Sequence, residues 1–315
     1  MMKKVSALLL AAVTAVGLLS GCQSQAASST GDNSATMKIG FMNTNLSNEF
    51  QVAMLDAARE KATELGVQIV EQDGQGDASK QVSQMEQLIS QKVDAIVMAP
   101  YDKDACAPAV VKAKEAGIPL IIVNSTVNNM DQAVAYVGSD DKVAGEMAMR
   151  ELADAIGGSG NIMMIRGPIG NSAEVGRTEG VFAVLEEYPD IQIVVDEPAD
   201  WDREKAMKLM ENKLQGSLEI VGVLAQNDEM AIGAQKAIEA AGKQDQISVI
   251  GIDAIADALT AVEEGKLIAT VFQDARTQAG KAMEVAVMAA KGETVEHEYY
   301  IDFQLITKEN VGDYK

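Results

Sequence analysis

The stretch VLAQNDEMAIGA, Val223 to Ala234, opens as a short apolar run and closes as a helical pattern. Four polar residues, Gln226-Asn227-Asp228-Glu229, separate the two halves. A packed core has no use for such a cluster, because buried polar groups cost free energy unless they are paired. A strand that ends in polar side chains and turns at once into a helix is one βα unit. A pocket at the carboxyl end of the strand gives those side chains a purpose.

The same pattern extends both ways along the chain. Short β-branched runs include MKIGFM, VQIVEQ, DAIVMA, IPLIIV, NIMMIR, IQIVVDE, EIVGVLA, ISVIGID and LIATVFQ. Helical stretches lie between them. LSNEFQVAMLDAAREKATELG carries apolar residues every three or four places and stops at Gly66, and KVAGEMAMRELADAIGG ends in Gly157-Gly158. Continuous apolar strands joined by helices predict parallel sheets buried on both faces. Nine or ten such units exceed one ordinary open sheet. They suit two doubly wound α/β lobes or a barrel of eight strands with extras. The run AVAYV, with no helix before it, favours two lobes and a boundary near Ser139-Asp140-Asp141.

Length and composition narrow the function. The 315 residues are enough for two domains, and 47% apolar content is that of a globular chain. The net charge is -21; without the leader lysines Lys3 and Lys4 it is 24 basic against 47 acidic residues, or -23. Such a field repels phosphate backbones, so nucleic acid is not an expected partner. MMKK followed by VSALLLAAVTAVGLL reads as a secretory signal over 1–22 rather than a spanning helix. Its end, Leu19-Ser20-Gly21-Cys22, resembles a bacterial lipoprotein cleavage box. That resemblance implies lipid on Cys22 and attachment to a membrane without spanning it. The Ser/Ala/Gly-rich segment over 23–36 reads as a flexible tether. The other cysteine, Cys106, has no partner in the folded body and is expected to be a small core residue.

The strand ends share one chemistry. MKIGFM leads into Asn43-Thr44-Asn45 and on to Asn48, Phe50 and Gln51, and IPLIIV ends in Asn124-Ser125-Thr126. NIMMIR leads to Asn171 and Arg177, and IQIVVDE to Trp201-Asp202. Asn227-Asp228, Asp253 and Gln273-Asp274 follow the remaining runs. Amides donate and accept, Asp accepts, and Arg donates through a planar fork. That set matches vicinal hydroxyls, while Trp201 and Phe50 offer flat faces to the C–H side of a ring. Each residue also has a plain alternative. Asn and Asp after a strand cap helices, Trp packs in cores, and Arg177 could pair at the surface.

Enzyme templates fit poorly. His297 is the sole histidine and has no Cys or Ser partner in its surroundings. No Cys/His metal spacing, G-x-G-x-x-G or G-x-x-x-x-G-K-[ST] loop occurs. The expectation is therefore no enzyme, no metal and no cofactor.

In LAQNDEMAIGA, PADWDREKAM, VIGIDAIADAL, ATVFQDARTQAGKA and IRGPIGNSAEVGRTEGV the chain resembles ribose/galactose-type sugar-binding proteins of bacterial ABC importers. The resemblance covers nearly everything from Met37 on. It implies the type I periplasmic-binding-protein fold: two Rossmann-like lobes joined by three crossings, near Ser139-Asp140, Gln273-Asp274 and Ile301–Phe303. The lobes would comprise 37–139 plus 274–301 and 140–273 plus 302–315. It places Asn48 and Phe50 on first-loop ligand contacts and Gln51 where a second aromatic contact sits. Asn124 falls after the fourth strand, Arg177 on the Arg that grips hydroxyls, and Trp201 on the stacking aromatic. Asn227, Asp253 and Gln273 fall on an amide, a carboxylate and a hinge-side amide.

The departures matter for the ligand. Ribose binders carry Asp-Arg where this chain has Asn124-Ser125. Galactose/glucose binders carry Asn there and a Trp like Trp201, but have a carboxylate where this chain has Ala173. A hexose or inositol-like cyclitol therefore fits first and ribose next. The implied partners are an ABC permease and, through lipid on Cys22, the outer face of the bacterial cytoplasmic membrane or the periplasm. The implied state is a monomer. A sensor presenting a sugar or furanosyl signal to a receptor, and a glycosidase, are the alternative functions.

Overall fold

In the computed structural model, residues 36–315 are described. The expected signal over 1–22 with Cys22, and all but the end of the expected tether over 23–36, lie outside the described residues.

The first half alternates as the periodicity predicts. β1 (Lys38–Asn43), β2 (Gln68–Asp73), β3 (Ala95–Met98), β4 (Leu120–Asn124) and β5 (Ala135–Gly138) alternate with α1 (Glu49–Leu65), α2 (Ala78–Ser90) and α3 (Ala107–Glu115). Only a 3-10 turn, Met130–Gln132, separates β4 from β5. The second half repeats the plan: α4 (Asp141–Ala155), β6 (Gly160–Arg166), α5 (Ser172–Leu185), β7 (Ile191–Pro198), α6 (Arg203–Leu214), β8 (Gly222–Ala225), α7 (Asp228–Ala240), β9 (Ser248–Asp253), α8 (Ala256–Glu263) and β10 (Ala269–Phe272). After it come α9 (Ala275–Ala290), β11 (Glu298–Tyr300) and β12 (Gln304–Thr307).

The strands form two six-stranded sheets, which disposes of the barrel. Their orders are β11-β5-β4-β3-β1-β2 and β12-β10-β9-β8-β6-β7. The first is parallel throughout, and β12 is the sole antiparallel strand of the second. Strands such as AIVM, LIIVN and GVLA are buried along their whole length, as helices on both faces require. The order reverses between β1 and β3 in one sheet and between β6 and β8 in the other, and ligands of doubly wound sheets bind at such reversals.

The chain passes from the first sheet to the second between Gly138 and Asp141. It returns between Phe272 and Ala275 and passes over again between Tyr300 and Gln304. Helix α9 packs on α1, β3 and β4, whereas α4 packs on α5 and β9. Strands β11 and β12 escaped the sequence reading: three and four residues long and half exposed, they carry no apolar run. Cys106 is fully buried and directly precedes α3, its thiol 3.1 Å from Gln81 Oε1. His297 is exposed, and its carbonyl accepts from the Tyr136 amide beside β11.

Candidate functional site

The carboxyl ends of parallel strands are also where helices begin, so caps and cleft share residues. Asn48 caps α1, Asn171 caps α5, Asp202 caps α6 and Asn227 caps α7, each through a side-chain oxygen. All four line one cavity of about 370 Å³, within the roughly 300–1,000 Å³ typical of small-molecule clefts. Capping engages only the carbonyl oxygen of Asn48 and Asn227. Their Nδ2 groups have no protein acceptor among the described residues and remain free to donate. Cap and cleft wall are thus compatible uses of one carboxamide.

All nine residues singled out from sequence line this cavity: Asn48, Phe50, Gln51, Asn124, Arg177, Trp201, Asn227, Asp253 and Gln273. The first four come from the lobe of β1, the next four from the lobe of β6, and Gln273 from a crossing.

Arg177 is buried rather than a surface partner. Its Nε donates to Asp141 Oδ1 at 3.0 Å and Nη2 to Gln273 Oε1 at 2.9 Å, while Nη1 donates to the Gln226 carbonyl. Asp253 lies 3.8 Å from Nη1, beyond hydrogen-bond range. No protein donor among the described residues reaches the Asp253 carboxylate. Burial pushes that carboxyl well above its usual range, against the opposing pull of Arg177. Burial also raises Asp141, again opposed by Arg177. Hydroxyl groups are donors of the kind that Asp253 lacks.

The aromatic side is built by close approach. The Arg177 guanidinium carbon lies 5.5 Å from the Trp201 ring centroid, in cation–π range. A Cβ on Gly167 would stand 2.1 Å from the indole, so only glycine leaves room for it. Of seven non-glycine residues with positive φ among the described residues, five line the cavity: Gln75, Asn124, Asp200, Trp201 and Asp253. Backbone strain of this kind, about 1–3 kcal/mol per residue, gathers at ligand clamps. Two buried polar atoms in the wall have no protein partner, Gln51 Oε1 and Gln273 Nε2.

The lobes are in contact across the cleft. Glu229 Oε1 accepts from the Glu49 amide at 3.3 Å, and Glu49 Oε1 accepts from the Ala256 amide at 3.0 Å. Each carboxylate therefore sits at the N-terminus of a helix in the opposite lobe, α1 or α8. Asn171 Nδ2 donates to the Tyr101 carbonyl at 2.8 Å, and the Thr126 amide to Ser172 Oγ at 2.7 Å.

Tyr101, Gln75, Arg203, Lys205 and Glu229 also line the cavity and were not chosen from sequence. Glu229 was visible in the opening motif. Tyr101 follows β3 in APYDKD, an aromatic at a strand end, and that signal could have found it.

A periplasmic binding protein domain matches residues 39–294. The chain belongs to the periplasmic binding protein family. It is a solute-binding protein of the ABC-importer type and not an enzyme, and the family is one of exported proteins. It is 37% identical over 303 residues to a xylitol-binding protein of Mycolicibacterium smegmatis, covering 96% of this chain and 85% of that one. A putative rhizopine-binding protein of Rhizobium meliloti is 38% identical over 256 residues, 79% of this chain and 83% of the other. An ABC transporter solute-binding protein of Bacillus halodurans, solved with bound myo-inositol, is 43% identical with a TM-score of 0.86, covering 90% and 99% of the two chains.

Proposed function

We propose that this periplasmic binding protein captures a neutral polyhydroxylated ring, an inositol-like cyclitol or a hexose ahead of ribose, and delivers it to an ABC permease. Lipid on Cys22 holds it at the outer face of the membrane. The observation that carries this reading is the buried Asp253 carboxylate without a protein donor, facing the same cavity as free amides and the Trp201 face. The nine residues chosen from sequence are its ligand contacts, and Arg177 is held rigid by Asp141 and Gln273 to present its fork. The 43% identical relative with myo-inositol bound supports a cyclitol as the first choice.

Closure brings both lobes onto the ring and favours the closed arrangement by the differential contacts the ligand makes there. A thermal-shift screen of free pentoses, hexoses and cyclitols, followed by calorimetry on the winner, tests the proposal. Myo-inositol is expected to raise the melting temperature, by mass action on the folded state. No shift from any neutral ring would defeat it. Unchanged uptake of the winning ligand in cells that lack this protein would favour presentation to a receptor instead.

A further inference from the structure

Beneath the cleft wall lies a buried group of residues that touches no part of the cavity. Asp228, at the start of α7, is fully buried, as is Thr270 of β10. Thr270 Oγ1 donates to the Asp228 carboxylate, 2.8 and 2.9 Å from its two oxygens. Asp228 Oδ2 accepts from the Ile255 amide at 3.1 Å, and Thr270 Oγ1 accepts from the Ala254 amide at 3.3 Å. Two side chains from separate elements thus bind the two amides that directly follow Asp253. A Cβ on Gly251 would stand 2.0 Å from Asp228 Oδ1, so glycine there makes the space for the carboxylate.

The segment held in this way is strained. Asp253 has φ 129° and Ala254 φ 61°, both on the side that side chains with a Cβ avoid. Such conformations persist only where the surroundings over-determine them. Without the two acceptors, the amides of Ala254 and Ile255 would be better satisfied in a relaxed backbone, and Asp253 would leave its aim into the cavity.

We propose that Asp228 and Thr270, with Gly251, form a clamp that holds the Asp253–Ala254 backbone in its left-handed conformation and so sets ligand affinity without touching ligand. Asp228 and Thr270 are positioning residues. This deepens the reading of the cleft as a polyol site and rests on it.

The test titrates myo-inositol, with D-ribose as a second probe, into the full chain and its variants by calorimetry. Thr270→Val keeps the shape and removes the hydroxyl. It is expected to raise Kd about fivefold or more, since strain of this kind, about 1–3 kcal/mol, is worth at least that factor. Thr270→Ser restores the hydroxyl and most of the affinity. Adding Ala254→Gly to Thr270→Val also recovers most of the loss, because glycine adopts positive φ without support. A merely structural Thr270 would lower the melting temperature with Kd unchanged, or give a loss that Ala254→Gly leaves in place; either result overturns the clamp. If the wild-type chain binds neither these probes nor any ring of the thermal-shift screen, the cleft reading fails, and the clamp is decided without ligand by amide hydrogen exchange. The Ala254 and Ile255 amides are then expected to exchange about tenfold faster in Thr270→Val, or in Asp228→Asn should the first variant not fold. Unchanged exchange overturns it.

Discussion

Among the described residues, two cavities of nearly equal size lie at opposite ends of the second sheet. The interlobe cleft measures about 370 Å³, and a hollow lined by Ser159, Val221, Gln246, Ser248 and Lys266 about 360 Å³. The first lies at the carboxyl ends of the strands and the second at their amino ends. The hollow contains none of the non-glycine residues with positive φ and none of the buried unpaired polar atoms among the described residues. The cleft contains five of the former and two of the latter. Size does not distinguish a binding site here; unspent hydrogen-bonding capacity and a strained backbone do. The helix N-termini at the carboxyl ends add donors and positive potential that the amino ends lack.

The largest effect expected is at Asp253. Asp253→Ala should weaken binding of the winning ligand about 100-fold or more, from two charge-assisted hydrogen bonds at roughly 1.5–3 kcal/mol each. The ligand-free protein should keep or gain melting temperature, because a buried carboxylate without donors is removed. Arg177→Ala should also lose binding but should lower the ligand-free melting temperature. It leaves Asp141 and Asp253 without their cation, at about 3–5 kcal/mol for a broken buried pair. Binding retained in both variants would erase the distinction between the two cavities.

Trp201→Ala ranks next. Loss of the stacking face should raise Kd about tenfold, a contribution of about 0.5–1.5 kcal/mol beyond burial for an aromatic contact. Calorimetry on the variant checks it, and an unchanged Kd would make Trp201 a core residue only.

A pH series sharpens the electrostatic side. Burial raises the Asp228 carboxyl from 3.8 to about 7, outweighing its hydrogen bonds from Thr270 and the loop amides. The native protein therefore holds a proton there that the unfolded chain releases. This contribution to stability is full below about pH 3.8 and is lost as pH rises through about 7. The stability difference between wild type and Asp228→Asn, measured by denaturant melts at several pH values, should shift against the wild type over that window. A difference independent of pH would place the Asp228 carboxyl in its ordinary range.

The smallest effects concern closure and the control. Glu49→Gln weakens one of the two exchanged helix-terminus contacts, worth about 0.3–1 kcal/mol, so Kd should rise by less than about fivefold. Ser159→Ala and Gln246→Ala in the other hollow should leave Kd unchanged. A loss of affinity there would break the comparison.

Much of this was legible because period and punctuation carry it. VLAQNDEMAIGA already holds β8, the cap Asn227 and the start of α7, and the nine residues chosen at strand ends line one cavity. The cap and ligand readings of Asn48 and Asn227 could not be separated in sequence, and in the structure they do not exclude each other: one atom caps while the other has no protein partner among the described residues. Arg203 and Lys205 escape a sequence reading because they are ordinary helix residues in sequence, whereas Tyr101 carries the signal of an aromatic at a strand end. Strands β11 and β12 were missed because short edge strands need no apolar run.

Composition and periodicity alone determined an acidic α/β chain of parallel βα units whose strand ends carry amides, an Arg and carboxylates. Those are local properties, set by propensity and by which face of each element is buried. Only the tertiary structure decided that Arg177 is buried between Asp141 and Gln273, that Asp253 lacks a donor, and that Glu49 and Glu229 exchange helix N-termini across the lobes. Each of these joins residues far apart in the chain, and long-range contact is fixed by packing rather than by any local pattern.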